Sequence, residues 1–411
     1  MQLTEEAEKL VHRLESLAKI SEEPGRLTRM FGSSAMRQAN ELVASWMTQA
    51  GMTVRQDAIG NLIGHYPGTQ AGAGKLLLGS HLDTVRNAGK FDGALGVLLA
   101  VACVERLRHP APFHIEVIAF ADEEGVRFQS AYLGSRAVAG TFDSADLHRT
   151  DAGGITMTEA IRAFGGDSKR LESCRFDAKE LIGYVEAHIE QGPVLDMHQQ
   201  AVGIVSAIAG QTRARIEFQG AAGHAGTVPM ALRKDALCAA AEFTLAVEKQ
   251  GREMADLVAT VGEVGVEPNA SNVIPGSVRL SLDVRHQEDI ARQAACESLR
   301  QSLASISQRR QINGIWHPVQ ETRATPCSSE LSAVLREAAA KHQPNLITLP
   351  SGAGHDAAVM AKIAPVAMLF VRCKNGISHH PNESAAGEDI AVALDTLSDF
   401  ISLLAARHGH V

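Results

Sequence analysis

Apolar residues recur every three or four positions over residues 3–17 and 36–49, the spacing of helices with one buried face. Residues 53–56 and 61–66 read as strands parted by a turn at Gly60. Leu76-Leu77-Leu78 is an unbroken apolar run, the mark of a buried strand. It runs out into Gly79-Ser80-His81-Leu82-Asp83, where a period of two sets His81 and Asp83 on one side. Phe91-Asp92-Gly93 then opens a helix over 93–107, rich in Ala, Val and Leu, and 114–120 (HIEVIAF) is a second buried strand. Strand, helix, strand in that order predicts a right-handed crossover in a largely parallel sheet. Residues 141–174 read as peripheral helices and loops.

From residue 211 the pattern changes. Strands are expected at 212–219, 257–264, 277–283 and 315–320, with helices at 234–249 and 288–308. That order is βαββαβ, the split pattern of a small ferredoxin-like domain. Helix 328–341, strand 366–370 and a closing helix 388–407 then resume the first pattern. The expectation is an α/β catalytic domain made of residues 1–210 and 326–411, interrupted by an inserted domain at 211–325. No internal repeat and no low-complexity tract is present.

Composition narrows the field. With 411 residues the chain can bury two cores, and 45% hydrophobic residues is ordinary for a globular protein. A formal net charge of −8 disfavours nucleic acid as a partner. The first twenty residues alternate acids, bases and apolar side chains and do not read as a signal peptide, and no apolar run is long enough to span a bilayer. The six cysteines lie apart, with no CxxC pair, which argues against a disulfide framework and a thiolate zinc site. A reducing cytoplasm is the expected location.

The chemistry collects where strands end, the edge at which open α/β sheets place ligands. The first strand ends in His81 and Asp83, with Asp92 just beyond. The second ends in Ala121-Asp122-Glu123-Glu124-Gly125, where adjacent glutamates point different ways and can do different work. Tyr184 to Pro193 holds His188 among Glu186, Glu190 and Gln191. Asn375-Gly376-Ile377-Ser378-His379-His380-Pro381 follows another buried strand. The glycine-rich turn Ser351-Gly352-Ala353-Gly354-His355-Asp356 can present backbone amides to an anion, but it lacks the Lys-Ser/Thr of a nucleotide-binding loop.

Mixed histidine and carboxylate ligands suit Zn or Mn, and equally Co or Ni, better than Ca or Mg. Two ions about 3.5–4 Å apart need one bridging carboxylate and about two further ligands each. Asp92 can bridge, with His81, Glu124, His188 and His379 shared two to each ion; residue chemistry leaves the pairing open. Glu123 is then free as a general base for a water made acidic by the ions.

The stretches GSHLDT, FDG, FADEEGVRF, HIEQGP, AAGHAGTVPM, NVIPG, SGAGHDA and NGISHHPNE resemble the amidase/hydantoinase-carbamoylase family in content and in order across nearly the whole chain. That resemblance implies a di-metal, aminopeptidase-like catalytic domain with a lid and dimerisation insert, hence a homodimer. It pairs His81 with His188 on one ion and Glu124 with His379 on the other, with Asp92 between and Glu123 as base. It makes Asp83 the carboxylate that orients His81, and it favours His379 over its neighbour His380. Gln191, His224, Asn272, Arg285 and Gly354 match substrate contacts, with Arg213 a weaker candidate. Arg285 can grip a carboxylate bidentately, and His224 resembles a residue that reaches across the dimer to the oxyanion.

The implied activity is hydrolysis of a ureido C–N bond in a small carboxylate substrate, with no nucleic acid or membrane partner. The TVRNAGKFDGALGVL and LGSRAVAG stretches look most like allantoate amidohydrolases. N-carbamoyl-L-amino acids and N-carbamoyl-β-alanine are the alternative substrates. A metal-binding homologue without catalysis is the reading from a different class.

Overall fold

The computed structural model describes residues 5–70 and 72–408, so the expected helix start at Leu3 lies outside the described residues. Two compact units divide the chain. The larger comprises the described residues of Met1–Ser206, Cys327–Leu349 and Gly354–Val411; the smaller comprises Ala207–Pro326 and Pro350–Ala353. Residues 350–353, read from sequence as part of the catalytic half, pack with the smaller unit through hydrogen bonds: Ala209 N–H donates to Ser351 O at 2.9 Å, and Arg285 Nη1 donates to Gly352 O at 2.7 Å.

The larger unit is built on one mixed sheet. Its strands run in the order Thr53–Gln56, Leu62–Tyr66, His114–Phe120, Lys75–His81, Leu181–Ile189, Val366–Val371 and Val202–Ile208. The four from His114–Phe120 to Val366–Val371 are mutually parallel, and the flanking pairs are antiparallel. The parallel strands are continuous apolar runs because both faces are covered. Helix Ala94–Arg106 is apolar all round for the same reason, with eleven consecutive buried residues from Ala94 to Val104. Helices Ser329–Ala339 and Gly387–His408 add Leu331, Leu335, Leu394 and Phe400 to that core.

Leu181–Ile189 is the main departure from the pattern reading. It is the central strand, yet buried Glu186 and His188 interrupt its apolar run and disguise it. Glu186 is tolerated there because three donors meet it: Ser80 Oγ at 3.0 Å, Tyr184 OH at 3.1 Å and Ala357 N–H at 2.9 Å.

The smaller unit carries its own sheet, in the order Val264–Glu267, Ser277–His286, Gly210–Gln219, Asn313–Thr322. Helices Ala236–Glu253 and Asp289–Arg310 pack on it around Phe218, Phe243, Leu280 and Leu299. The single strand expected over 257–264 is two, Val258–Thr260 and Val264–Glu267, both paired to Ser277–His286. Between them Ser281 Oγ accepts from Gly262 and Glu263 N–H at 3.3 and 2.9 Å, which replaces the strand ladder at the break. No helix among the described residues is long and apolar enough to cross a membrane.

Candidate metal centre

Register brings the ligands together. Lys75–His81 pairs with its neighbour so that His81 stands opposite Phe120, one residue before Ala121 begins the acidic turn. On its other side Leu78 stands opposite Val185; three residues further along both strands, His81 is level with His188. His188 in turn stands opposite Phe370, which leads toward His379. Parallel strands that end at one level put their loops on one edge of the sheet.

Two trios of ligand atoms form there, His81–Asp92–His188 and Asp92–Glu124–His379, each with its atoms within 4.8 Å of one another. Asp92 faces one trio with each oxygen. Its Oδ1 lies 3.1 Å from His188 Nε2 and 3.5 Å from His81 Nε2; its Oδ2 lies 3.2 Å from His379 Nε2, which is 3.5 Å from Glu124 Oε1. The pairing implied by the family resemblance is therefore the one the geometry presents. His380 points elsewhere: its Nδ1 accepts from Asn382 N–H at 3.1 Å.

The electrostatics fit divalent cations. Burial opposes charge on His81, but hydrogen bonds to Asp83 and Asp92 override it and hold the imidazole well above its usual range. His188 is raised against burial by the charge of Asp92. His379 is pushed up to about 9, first by its hydrogen bond to Asp92. Burial pushes Asp92 up, yet His188 and the other imidazoles hold it well below the carboxylate range. Glu124 is pushed up to about 7 by burial and the charge of Asp92. The carboxylates thus draw positive charge onto their neighbours, and two cations would satisfy the same demand. Among the described residues the two trios are positioned to hold two divalent ions that share Asp92.

Several supports are local. His81 Nδ1 is 3.0 Å from Asp83 O and 3.5 Å from Asp83 Oδ1, leaving Nε2 turned to the trio. The closer contact of His81 Nδ1 is thus the Asp83 carbonyl, while the two carboxylate oxygens of Asp83 accept from Glu123 and Glu124 N–H, each at 3.1 Å, and so hold the acidic turn. Gly93 has φ 64°, and a Cβ there would fall on the His81 ring. Glu123 is buried, with Oε2 4.0 Å from His81 Nε2, and burial holds its carboxyl well above the usual range. Glu190, singled out beside His188, caps the next helix instead, accepting from Val194 and Leu195 N–H at 2.7 and 2.8 Å.

The remaining predicted residues fall into two groups. In the larger unit, Gln191 Nε2 lies 2.8 Å from Asp92 Oδ2 and 3.3 Å from His379 Nε2. Gly354 precedes His355, whose ring meets that of His188 edge-on at 4.5 Å. A Cβ at Gly354 would strike the Tyr132 hydroxyl. In the smaller unit, His224 and Asn272 share a two-stranded ribbon, with Val273 opposite His224 and Ala225 N–H donating to Asn272 O at 2.9 Å. Arg213 and Arg285 flank Asp283 on one face of the sheet. Arg285 Nε and Nη2 each lie 2.9 Å from that carboxylate and Arg213 Nε lies 3.1 Å away. A guanidinium has five N–H donors, so Arg285 keeps two after its contacts with Asp283 and Gly352.

Pattern reading missed Arg29, fully buried, whose guanidinium donates to Leu82 O, Leu17 O and Ile20 O at 3.0, 2.9 and 3.2 Å and fixes the exit of the His81 strand. Burial lowers it to about 10, with the charge of Asp83 opposing the drop. An arginine between apolar segments carries no sequence signal of burial. Ser378 and Glu383 were also missed, although both lie inside NGISHHPNE.

Comparison with known proteins agrees with this site. The signature of peptidase family M20/M25/M40 matches residues 77–403. A probable allantoate deiminase of Oryza sativa subsp. japonica is 39% identical, covering 95% of this chain and 87% of its own length. The N-carbamoyl-L-amino acid amidohydrolase of Geobacillus stearothermophilus is also 39% identical, over 95% of this chain and 97% of its own. The solved structure of a hydantoinase/carbamoylase family amidase from Burkholderia multivorans superposes with a TM-score of 0.90 at 32% identity, covering 98% of each chain. Motif order, fold and a complete two-ion ligand set converge, and the chain belongs to the M20/M25/M40 peptidase family, as a metal-dependent hydrolase among its hydantoinase/carbamoylase amidases.

Proposed function

We propose that this chain hydrolyses the ureido C–N bond of a small carboxylate-bearing substrate, with allantoate as the leading candidate. The observation that carries the reading is Glu123: a buried carboxyl, in neither ligand trio, beside His81 at the edge where both trios meet. Two divalent ions, when bound, supply Lewis-acid activation of water and of the carbonyl. Glu123 takes a proton from the attacking water at its carboxylate and delivers it to the leaving nitrogen.

Substrate recognition is assigned to Gln191 and the Gly354 turn with His224, Asn272 and Arg285, and Arg213 in a supporting place. Arg285 grips the substrate carboxylate, its orientation set by Asp283. His224 stabilises the oxyanion and acts across a homodimer; Asn272 donates its amide to the substrate. The smaller unit serves as lid and dimerisation domain, and the enzyme works in the cytoplasm with Mn or Zn.

N-carbamoyl-L-amino acid hydrolysis is the second reading, favoured by the Geobacillus relative, which matches as well as the rice deiminase; N-carbamoyl-β-alanine is the third substrate to try. Ammonia release by metal-stripped, Mn-reconstituted protein on the three substrates side by side tests the assignment. Turnover of allantoate above the others supports the first reading, preference for a carbamoyl amino acid supports the second, and silence on all three overturns the ureido assignment. Glu123→Gln should keep both ions and lower turnover by about 10²–10⁴-fold; turnover that persists removes Glu123 from the role of base.

A further inference from the structure

The bridging carboxylate is itself held by a second carboxylate that belongs to neither trio. Glu383 is buried, and its Oε1 accepts from Phe91 N–H at 2.8 Å and from Asp92 N–H at 3.1 Å. Its Oε2 lies 3.0 Å from Ser378 Oγ, and that hydroxyl lies 2.8 Å from Asp92 Oδ2. Glu383 N–H in turn donates to His380 O at 3.0 Å, so the residue is locked to the turn that carries His379. Gly89 closes the other side, since a Cβ there would fall on the Glu383 side chain. One side chain therefore fixes the backbone of Asp92, reaches its outer oxygen through Ser378, and ties residues 91–92 to residues 378–383.

We propose that Glu383 is a positioning residue for the metal centre: with Ser378 as intermediary, it sets where Asp92 presents its two oxygens, and so sets the affinity of both ions. This rests on the two-ion reading of the trios and does not depend on which ureido substrate is turned over.

The contact pattern separates geometry from charge. Both backbone amides use the same oxygen of Glu383. A glutamine can keep that oxygen in place as an amide carbonyl and turn its NH₂ toward Ser378 Oγ, leaving the serine hydrogen to Asp92. Positioning therefore survives Glu383→Gln and fails in Glu383→Ala. A purely electrostatic contribution would be lost equally in both.

The test is titration of the metal-free full-length protein with Mn²⁺ and, for its visible absorption bands, Co²⁺. Glu383→Ala should weaken binding of both ions by about 10–100-fold, the usual scale for residues that orient a ligand, and shift the Co²⁺ bands. Glu383→Gln should stay within about threefold of the parent on that scale, and Ser378→Ala should fall between the two. Equal losses in Glu383→Gln and Glu383→Ala would overturn positioning in favour of charge. Unchanged affinities in Glu383→Ala would overturn the role altogether. Where the alanine variant does not fold, Ser378→Ala still decides: parent-like affinities and bands there overturn the relay to Asp92. Metal affinity is read without substrate, so silence on every ureido substrate would leave this test standing.

Discussion

The two ligand trios share Asp92 and differ in almost everything else. His81 and His188 come from the ends of regular strands, with side chains 2% and 1% exposed; His379 comes from a turn and is 49% exposed. The second trio also leans on unusual backbone. His379 has φ 55°, and Asp122, just before the Glu123-Glu124 pair, has φ 56°. Left-handed conformations of this kind cost about 1–2 kcal/mol per residue, so surrounding contacts have to hold them, as Asp83 does for the acidic turn. The first trio is buried throughout and preorganised; the second is open to water on its His379 side and more adjustable there. One ion should therefore be held tenaciously and the other exchange, although both share one carboxylate.

The strongest way to break this contrast is to remove what the trios share. Asp92→Ala should abolish tight binding of both ions, and with it turnover, as counted by metal analysis after gel filtration. A variant that keeps two ions per chain would refute the one-oxygen-to-each arrangement. Next in size is the asymmetry. His379→Ala should retain one ion while His188→Ala loses the tighter one, each replaced ligand costing at least the roughly 10–100-fold expected even of orienting residues. In the parent protein a chelator should strip the ions in two phases, the His379 ion first; a single phase would erase the distinction.

A smaller effect sharpens the buried side. Gly93→Ala meets both the His81 ring and a positive φ paired with ψ −55°, so a loss of about 1–3 kcal/mol from the backbone alone is expected. Thermal unfolding should show that loss, together with weaker binding of the tighter ion. If only the exchangeable ion suffers, Gly93 serves a different purpose.

A graded effect comes with pH. In the ion-free protein Glu124 sits at about 7 and His379 at about 9, so below pH about 7 both carry protons that an ion must displace. Affinity at this trio should rise by about a hundredfold per pH unit below about 7, where two protons are displaced, by about tenfold per unit from about 7 to about 9, and level off above. Calorimetry in buffers of different ionisation enthalpy would count those protons, and an affinity flat across that range would contradict the electrostatics.

Much of this was legible in the chain. Period and apolar runs marked the His81 strand, the crossover helix and His114–Phe120, because local backbone geometry writes itself into residue spacing. The ligands were legible as residue types at strand ends. The central strand Leu181–Ile189 was not, because Glu186 and His188 are buried polar groups satisfied by partners far away in sequence. The split of the 257–264 segment was hidden too, since its cause is Ser281 on the neighbouring strand.

Local spacing and motif order thus carried most of the element types outside the central strand, the ligand inventory and the family. Only the tertiary structure decided that His81 stands level with His188, that each Asp92 oxygen serves a different trio, and that Glu383 holds Asp92 from 291 residues away. The physical reason is that register between strands and hydrogen bonds to buried backbone amides are pairwise facts between distant segments, and no local pattern carries them.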